Sequence, residues 1–284
     1  MIEFKNFIRE HFPEYRIPDD IKPGKFFRFG RNYSGWGLLF EDCSGGVVGD
    51  WRNGDRFIWQ SAQSKKTPYE REQFAMQIAK AKAMEEAKRE LTYMANAKKC
   101  EEIFDAAPDA PADHPYLVKK KVKSHGLKIS KEGTLMVPIY SVAGDMQSIQ
   151  FINAAGGKRF FPGCKVAGGC FFLGLITSDS PIIICEGYAT AASLYEDGNP
   201  FVVVAFNAGN LGKVALDLKL ELPKMDIIIA GDDDWQTEGN PGRAAALEAA
   251  KAVSGRVIFP KFGPDRDPSW TDFNDYINSR KGPA

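Results

Sequence analysis

Two stretches in the C-terminal third of the chain each consist of a short apolar run that ends at carboxylates. Pro181–Cys185 is followed by Glu186, and Ile227–Gly231 is followed by Asp232-Asp233-Asp234. A continuous apolar run of this length is typical of a strand that is buried on both faces. After each acid comes a helical pattern, and Asn240 is suited to be the N-cap of the second helix. The order strand, acid, helix predicts an open parallel sheet whose acids lie at the edge where ligands bind.

Side-chain alternation along a strand separates the three aspartates. Residues two apart point the same way, so Asp232 and Asp234 are predicted to face one site while Asp233 faces the other side. Carboxylates gathered in one crevice repel one another and are costly to desolvate. We therefore expect a hard divalent cation with oxygen ligands, Mg²⁺ or Mn²⁺, to offset the charge of Asp232, Asp234 and Glu186.

Residues 1–67 are predicted to form a small antiparallel β module. Short runs rich in glycine and aromatic residues lie between residues 24 and 60, and Asn53-Gly54 suits a tight hairpin turn. Its aromatic and basic residues could stack on and track a single strand of DNA. The candidates for this contact are Trp36, Trp51, Arg52 and Arg56. The alternative is that the tryptophans form the core of a small sheet and the arginines are only solvated.

Residues 68–107 are predicted to form a long helical connector. Apolar residues from Phe74 to Met94 recur at three- and four-residue spacing and give one stripe on a mostly charged helix. Such a stripe usually belongs to a core or packs on a neighbouring domain. The stretch at 105–115, rich in proline, alanine and aspartate, then predicts a linker and a domain boundary.

Residues 108–178 are predicted to form a basic subdomain of mixed α+β structure. A short helix is expected from Tyr116 to near His125-Gly126, and strands are expected at 135–140 and 146–152. No acid occurs between Lys119 and Lys131. A run of positive charge is often only a solvated surface. Beside an acidic metal site, however, it is suited to bind the phosphates of a template or a nucleotide.

Composition constrains the remaining possibilities. Lysine plus arginine equals aspartate plus glutamate at 37 each, so total charge does not indicate a nucleic-acid partner. The five cysteines form no Cys-x-x-Cys pair and are an odd number, which favours reduced thiols in a cytoplasm. No closely spaced ligand pairs indicate zinc, and no apolar run indicates a membrane span. We therefore expect no zinc and no membrane partner.

The strand-end motifs, taken in order, resemble the Toprim fold, which primases, topoisomerases and some nucleases share. The resemblance is carried by Cys-Glu186-Gly-Tyr-Ala-Thr-Ala, Ala205-Phe-Asn-Ala-Gly-Asn210, Asp232-x-Asp234 and Asp272-Phe-Asn274-Asp275. Together with His114-Pro-Tyr-Leu-Val-Lys-Lys-Lys121, these motifs resemble the primases of conjugative plasmids and phages. The resemblance implies an α/β fold with a Toprim parallel sheet flanked by helices at 179–284. The basic subdomain precedes this sheet, and the N-terminal β module is joined by the long helix.

The resemblance also implies a function, which is the synthesis of short RNA primers on single-stranded DNA from ribonucleoside triphosphates. Glu186, Asp232 and Asp234 would be the catalytic residues and would hold two cations. An alternative for Glu186 is to act as a base, or to orient the ligands of the cations without binding one itself. Asp272 and Asp275 have helix capping as their plain role, and the resemblance suggests that they also support the metal site. Nucleotide or template contacts are expected from basic residues, namely Lys119, Lys120, Lys121, Lys158, Arg159 and Lys165.

No P-loop is present, so a replicative helicase is expected as a partner on another polypeptide or in another part of a longer one. The expected location is the cytoplasm of a bacterium or of a phage-infected cell. Two alternatives remain open. A Toprim nuclease would use the same acids to activate water, and a non-catalytic module would bind single-stranded DNA to load a helicase.

Overall fold

The computed structural model of the chain describes residues 2–52, 54–61, 68–177 and 179–280. The chain divides into two compact units, Met1–Lys88 and Arg89–Ala284. Asn53, which was predicted to form a hairpin turn with Gly54, lies outside the described residues. In these described ranges, no helix has both the length and the apolar character that crossing a bilayer requires.

The first unit contains the predicted antiparallel sheet. A helix, α1 (Ile2–His11), precedes four strands, which pair in chain order: β1 (Phe26–Phe29), β2 (Gly35–Leu39), β3 (Gly45–Asp50) and β4 (Arg56–Gln60). Phe4 and Ile8 of α1 are fully buried in a cluster that also contains Trp59. The alternation of side chains on these strands therefore gives the sheet one face that packs on α1 and a second face that does not.

The long helix, α2 (Pro68–Ala106), is a single element of 39 residues, as its composition predicted. The expectation that its apolar stripe is packed is wrong for the described part of that stripe. Met84, Leu91 and Met94 are about two-thirds exposed. The helix instead buries Cys100 and Phe104, which lie in a cluster with residues of the second unit. Among the side chains that the structure describes, the packing is therefore at the C-terminal end of the helix, beyond the predicted stripe. The side chains of 68–74, 77, 78, 81 and 85 lie outside the described residues.

In the second unit, the C-terminal part of α2 is followed by a short helix and a four-stranded antiparallel sheet. After α3 (Pro115–Lys120), the strands pair in the order β5 (Lys128–Ile129), β6 (Leu135–Tyr140), β7 (Met146–Ile152) and β8 (Lys158–Phe160). The prediction that α3 continues to near His125-Gly126 is wrong. Lys121 adopts a left-handed conformation, with φ of 52°, and its amide caps the helix on Leu117 and Val118. Backbone conformation at one residue therefore ends the helix early.

A five-stranded sheet follows, and it confirms the predicted α/β fold. Its strands are β9 (Phe171–Gly174), β10 (Ile182–Cys185), β11 (Phe201–Val204), β12 (Ile227–Ala230) and β13 (Arg256–Ile258). The sheet order is β13-β12-β10-β11-β9, and all pairings are parallel except that of β9 with β11. Its helices are α4 (Tyr188–Glu196), α5 (Ala208–Glu221), α6 (Pro241–Ala252) and α7 (Phe273–Arg280).

This sheet is covered on both faces. One apolar cluster contains residues of α4 and α7, and a separate cluster contains residues of α5 and α6. The strands β10 and β12 are hydrogen-bonded neighbours, and all four residues of each are buried. Two rigid, adjacent strands therefore carry the two acid motifs that the sequence singled out.

Candidate metal and nucleotide site

The register of β10 and β12 brings their acids to the same edge of the sheet. Cys185 pairs with Ala230, so Glu186 and Asp232 follow directly beyond the aligned ends of two parallel neighbours. This edge is the carboxyl end of the strands, where parallel sheets bind ligands. The placement that the sequence predicted for these two acids is thus produced by strand order and register.

Helix N-termini hold two of the acids in place. The backbone amide of Ala208, at the start of α5, hydrogen-bonds the Glu186 carboxylate. The amide of Gly242, in the first turn of α6, donates to Asp234 Oδ2 at 3.0 Å. Amides in a first turn have no partner within the helix, and the helix dipole favours negative charge there. Both carboxylates are therefore oriented by backbone groups that cannot change rotamer.

Asp272 and Asp275 form a reciprocal cap at the start of α7. Asp272 Oδ1 accepts from the Asp275 amide at 2.9 Å, and Asp275 Oδ2 accepts from the amides of Asp272 and Thr271 at 3.4 and 3.0 Å. Asp275 also pairs with Lys120, at 3.6 Å between Nζ and Oδ1. Capping is thus an actual role of both residues.

A cavity of about 240 Å³ lies at this edge and collects acids from three segments. Glu186, Asp232 and Asp272 line it, and so do Lys119, Lys120 and Lys158. Asp234 and Asp275 are not among its lining residues. The cavity therefore unites Glu186 and Asp232 with Asp272, whereas Asp234 affects the cavity through its charge, which raises the pKa values of Glu186 and Asp232.

The acids of this cavity have raised pKa values. Burial raises the pKa of Glu186, and Asp234 adds to the rise while the Lys158 ammonium opposes it. Burial, followed by the charges of Asp272, Glu186 and Asp234, raises the pKa of Asp232 well above its usual range. The pKa of Asp272 is also raised, by burial and by Asp275. Lys158 opposes the rise for Glu186 and Asp232, and Lys120 opposes it for Asp272, but these charges compensate only part of the negative charge that the fold concentrates here.

The chemistry of this cavity fits a divalent cation. Asp232 Oδ1 is buried and has no hydrogen-bond partner, which is rare for a carboxylate oxygen in a folded protein. Within the described ranges, however, no three His, Cys, Asp or Glu side chains stand as a ready ligand set. Like charges with nothing between them repel, so we expect a cation to draw Glu186 and Asp232 together when it binds. The cavity supplies the hard oxygen donors that Mg²⁺ or Mn²⁺ prefers.

Asp233 lies in a different environment from its two neighbours. Its carboxylate accepts from Arg266 Nη1 at 2.6 Å and from Asn240 Nδ2 at 2.8 Å. Burial alone would raise the pKa of Asp233, but these hydrogen bonds and the Arg266 charge lower it. The separate environment of Asp233 is consistent with the predicted alternation, whereas Asp234 is not among the residues that line the cavity with Asp232.

The predicted basic residues fall into three groups. Lys119, Lys120 and Lys158 line the acidic cavity, as described above. Lys158 and Arg159 line a second cavity of about 380 Å³, in which the Arg159 guanidinium lies 5.2 Å from the centre of the Phe151 ring. Lys121 and Lys165 are not among the lining residues of either cavity. Lys158 therefore connects the two cavities.

Comparison with known proteins agrees with this geometry. Residues 181–283 match the sequence family described as the Toprim domain. They are a Toprim domain. The sequence is 33% identical to DNA primase TraC of Escherichia coli over 229 residues, 77% of this chain, and 32% identical to a second Escherichia coli DNA primase TraC over 225 residues, 75% of this chain. The chain spans 22% and 15% of the length of these two relatives.

The resemblance that the motifs indicated is thus confirmed, since the chain contains a Toprim domain and is homologous to part of a DNA primase. Among solved structures, the zinc-binding and RNA polymerase domains of Aquifex aeolicus primase align with a TM-score of 0.46 and 14% identity, over 96% of this chain and 79% of that one. Glu186, Asp232 and Asp272 all lie within the matched Toprim domain.

Outside the Toprim domain, the first unit carries a row of stacked rings. Phe26 and Trp36 are parallel within 8° with centroids 5.6 Å apart, and Trp36 stacks on Trp51 at 5.2 Å. The Arg28 guanidinium lies over both end rings, 5.9 Å from Phe26 and 5.5 Å from Trp51. Trp51, at the end of the row, is 41% exposed. This aromatic row comprises Phe26, Trp36 and Trp51.

The two arginines predicted to track a nucleic acid have different surroundings. Arg52 pairs with Asp50 at 3.2 Å and contacts the Tyr15 hydroxyl, so it holds a carboxylate that is only 1% exposed. Arg56 is exposed at the start of β4. The structure thus gives Arg52 a role within the fold and brings Arg28, which sequence reasoning missed, to the aromatic row.

Sequence reasoning also missed two residues that line the acidic cavity, Thr190 and Tyr116, and one that supports it, Asn274. Thr190 hydrogen-bonds Asp272 from the first turn of α4, and Tyr116 lines the same wall. Asn274 is 1% exposed and donates to Lys120 O and to Ser193 Oγ at 2.7 and 2.8 Å. All three residues lie within the motifs that carry the resemblance, but the sequence assigned no role to any of them. Their individual roles follow only from tertiary contacts.

Proposed function

We propose that this chain is the catalytic part of a DNA primase that makes short RNA primers on single-stranded DNA. The observation that carries the proposal is the convergence of Glu186, Asp232 and Asp272 with Lys158 in one cavity of the Toprim domain. The buried, unpartnered Oδ1 of Asp232 supports a cation there. Homology to part of a DNA primase supports the choice of reaction.

In this proposal, two divalent cations, Mg²⁺ or Mn²⁺, are held by Glu186, Asp232 and Asp234, with support from Asp272 and Asp275. When bound, such cations lower the pKa of an attacking 3′-hydroxyl and neutralise charge on the leaving pyrophosphate. The task of the chain is to hold these carboxylates in orientation. The amides at the starts of α5, α6 and α7 already do so for Glu186, Asp234 and Asp272.

The basic residues then position the substrates. Lys158 lies between the two cavities and is suited to hold a triphosphate close to the acids. Arg159, beside the ring of Phe151, is suited to contact the template or the nucleotide, and Lys119 and Lys120 offer charge to phosphates at the cavity mouth. Lys121 and Lys165 would extend this contact along the template.

The first unit would bind the template through its aromatic row. Base stacking on exposed rings tolerates any sequence, and Arg28 and Arg56 would add attraction for the backbone. A replicative helicase and a bacterial or phage-infected cytoplasm complete the proposal, and both follow from the resemblance to plasmid and phage primases.

Incorporation of labelled ribonucleotides on mixed single-stranded templates, with and without Mg²⁺ or Mn²⁺, tests this function. We expect short ribonucleotide products that require the cation and the template. DNA fragments instead of extension products would indicate a Toprim nuclease. Retention of DNA without any cation-dependent product would indicate a binding module and would contradict the proposal.

A further inference from the structure

The run Asp232–Asp234 is joined to the segment before α7 by one arginine. Arg266 Nη1 donates to Asp233 Oδ2 at 2.6 Å, and Nη2 donates to the Asp233 carbonyl at 2.8 Å. The same guanidinium donates to the Trp270 carbonyl, from Nε at 2.9 Å and from Nη2 at 2.6 Å. Arg266 therefore holds two backbone segments that each lead directly into an acid of the cavity.

The surroundings of Arg266 fix its guanidinium. Its Cζ lies 4.4 Å from the centre of the Phe262 ring and 5.1 Å from that of Trp235, and its side chain is only 15% exposed. A direct backbone hydrogen bond, from the Asp233 amide to the Thr271 carbonyl at 2.8 Å, runs beside the arginine bridge. The planar guanidinium thus makes four hydrogen bonds to Asp233 and Trp270. A lysine ammonium group lacks the planar arrangement of donors that this set of bonds requires.

The bridge has a consequence for the cavity, because Asp232 precedes Asp233 and Asp272 follows Thr271. These two acids come from distant parts of the chain and line the same cavity, where the charge of Asp272 adds to the burial that raises the pKa of Asp232. Repulsion of this kind separates segments that nothing holds together. Arg266 neutralises Asp233 and hydrogen-bonds both backbone segments, so it opposes their separation. Arg266 does this from outside the cavity, because it is not one of the lining residues.

We propose that Arg266 is a positioning residue that holds Asp232 and Asp272 at the spacing needed for cation binding. The inference rests on the cation site of the proposed function and does not depend on which reaction the site performs. It assigns a purpose to Asp233, whose carboxylate is turned away from the cavity and serves as the anchor for the bridge.

The test is a measurement of Mn²⁺ affinity. Mn²⁺ is titrated into the full chain, and the electron paramagnetic resonance signal of free Mn²⁺ reports how much remains unbound. We expect Arg266→Gln to weaken binding about 10-fold or more, the range found when residues that orient metal ligands are replaced. Arg266→Lys keeps the charge but loses the fork, and we expect it to weaken binding in the same direction. Thermal unfolding of each variant shows whether it is folded, and Arg266→Lys carries the test if Arg266→Gln is not.

Arg243 provides a matched control. Its Nη1 also faces Asp233, at 3.8 Å from Oδ1, but its guanidinium packs on the Phe259 ring, and within the described ranges it does not hydrogen-bond Trp270 or Thr271. We expect Arg243→Gln to change Mn²⁺ affinity less than twofold. Equal loss in Arg243→Gln and Arg266→Gln would overturn the inference, because charge alone would then explain the effect.

Two further outcomes separate this inference from the proposed function. Wild-type Mn²⁺ binding that Asp232→Asn abolishes, together with unchanged affinity in folded Arg266→Gln, would overturn the role of Arg266 and leave the cation site intact. Absence of Mn²⁺ binding by the wild-type chain would overturn the cation site itself and, with it, the proposed chemistry.

Discussion

Both units of this protein bury an aspartate at the end of a strand, and the two sites differ in how that charge is compensated. In the first unit, Asp50 accepts hydrogen bonds from the Ser34 and Tyr15 hydroxyls and from the amide and guanidinium of Arg52. In the Toprim domain, Asp232 Oδ1 has no partner and faces further carboxylates. A buried carboxylate with a complete set of donors stabilises a fold, whereas an incomplete set indicates a ligand.

The largest expected effect comes from replacing Asp232, the aspartate whose charge is not compensated. We expect Asp232→Asn to reduce primer synthesis about a thousandfold, since a catalytic cation contributes several kcal/mol to the reaction. Binding of single-stranded DNA should be nearly unchanged, because the proposed template contacts are basic and aromatic side chains that this substitution leaves in place. Labelled-ribonucleotide incorporation and a DNA-binding titration measure the two properties.

The control for this variant lies at the other end of the same strand. Asp226 precedes β12 and is exposed, and its carbonyl accepts from the Ile182 amide. Asp226→Asn changes the charge by the same amount and should retain near-native synthesis. Near-native synthesis by Asp232→Asn with Mg²⁺ would remove Asp232 from the active site.

The next largest effect is expected from replacing Asp50. Because the charge of Asp50 is compensated by hydrogen-bond donors, we expect this residue to stabilise the fold. Asp50→Ala leaves the Tyr15 hydroxyl and Arg52 without their acceptor, and we expect a loss of about 1–3 kcal/mol in the free energy of unfolding of the first unit. Urea unfolding followed by tryptophan fluorescence measures this loss. A stability equal to that of the wild type would show that the network around Asp50 contributes nothing.

A similar or smaller effect is expected for the aromatic row. Trp51→Ala should weaken binding of single-stranded DNA by about 1–3 kcal/mol, the contribution of one stacked base. Tyr33→Ala is the control, because Tyr33 is 72% exposed in the same unit and is not part of the row. If both variants bind as tightly as the wild type, the row serves only the packing of the sheet.

The smallest expected effect is on the stability of the cation-free protein. The pKa of Asp232 is raised in the folded state, so between its unfolded and folded pKa the folded chain binds more protons, and stability falls as pH rises. Asp232→Asn removes this penalty. We expect its melting temperature with a chelator at pH 7 to exceed that of the wild type by a few degrees, since about 1.4 kcal/mol corresponds to one pKa unit.

The two proteins should also differ in pH dependence. The excess stability of Asp232→Asn should shrink as pH falls towards about 4, the pKa of an unfolded aspartate, and vanish below it, where the wild-type carboxyl is protonated in both states. Added Mg²⁺ should stabilise the wild type and not the variant. A variant less stable than the wild type at neutral pH without cations would contradict the uncompensated charge at Asp232.

The sequence predicted those features that depend on local pattern. Buried strands, the acids at their ends and the opposite orientation of Asp233 all follow from side-chain periodicity. The place of Asp272 at the metal site was implied only by the resemblance. Local pattern could not predict that Asp234 is not among the residues that line the cavity, because that depends on how α6 approaches the sheet. The sequence also did not predict the hydrogen-bond acceptors of Arg52 and Arg266, because only the tertiary structure brings these acceptors within reach of the long side chains.

The most direct test of the central claim is anomalous diffraction from crystals of the full chain soaked in Mn²⁺. The account predicts a peak in the acidic cavity, with Asp232 Oδ1 and a Glu186 oxygen at bonding distance from the ion. Asp232 Oδ1 bonded only to water or protein donors, with no peak in the cavity at saturating Mn²⁺, would contradict it.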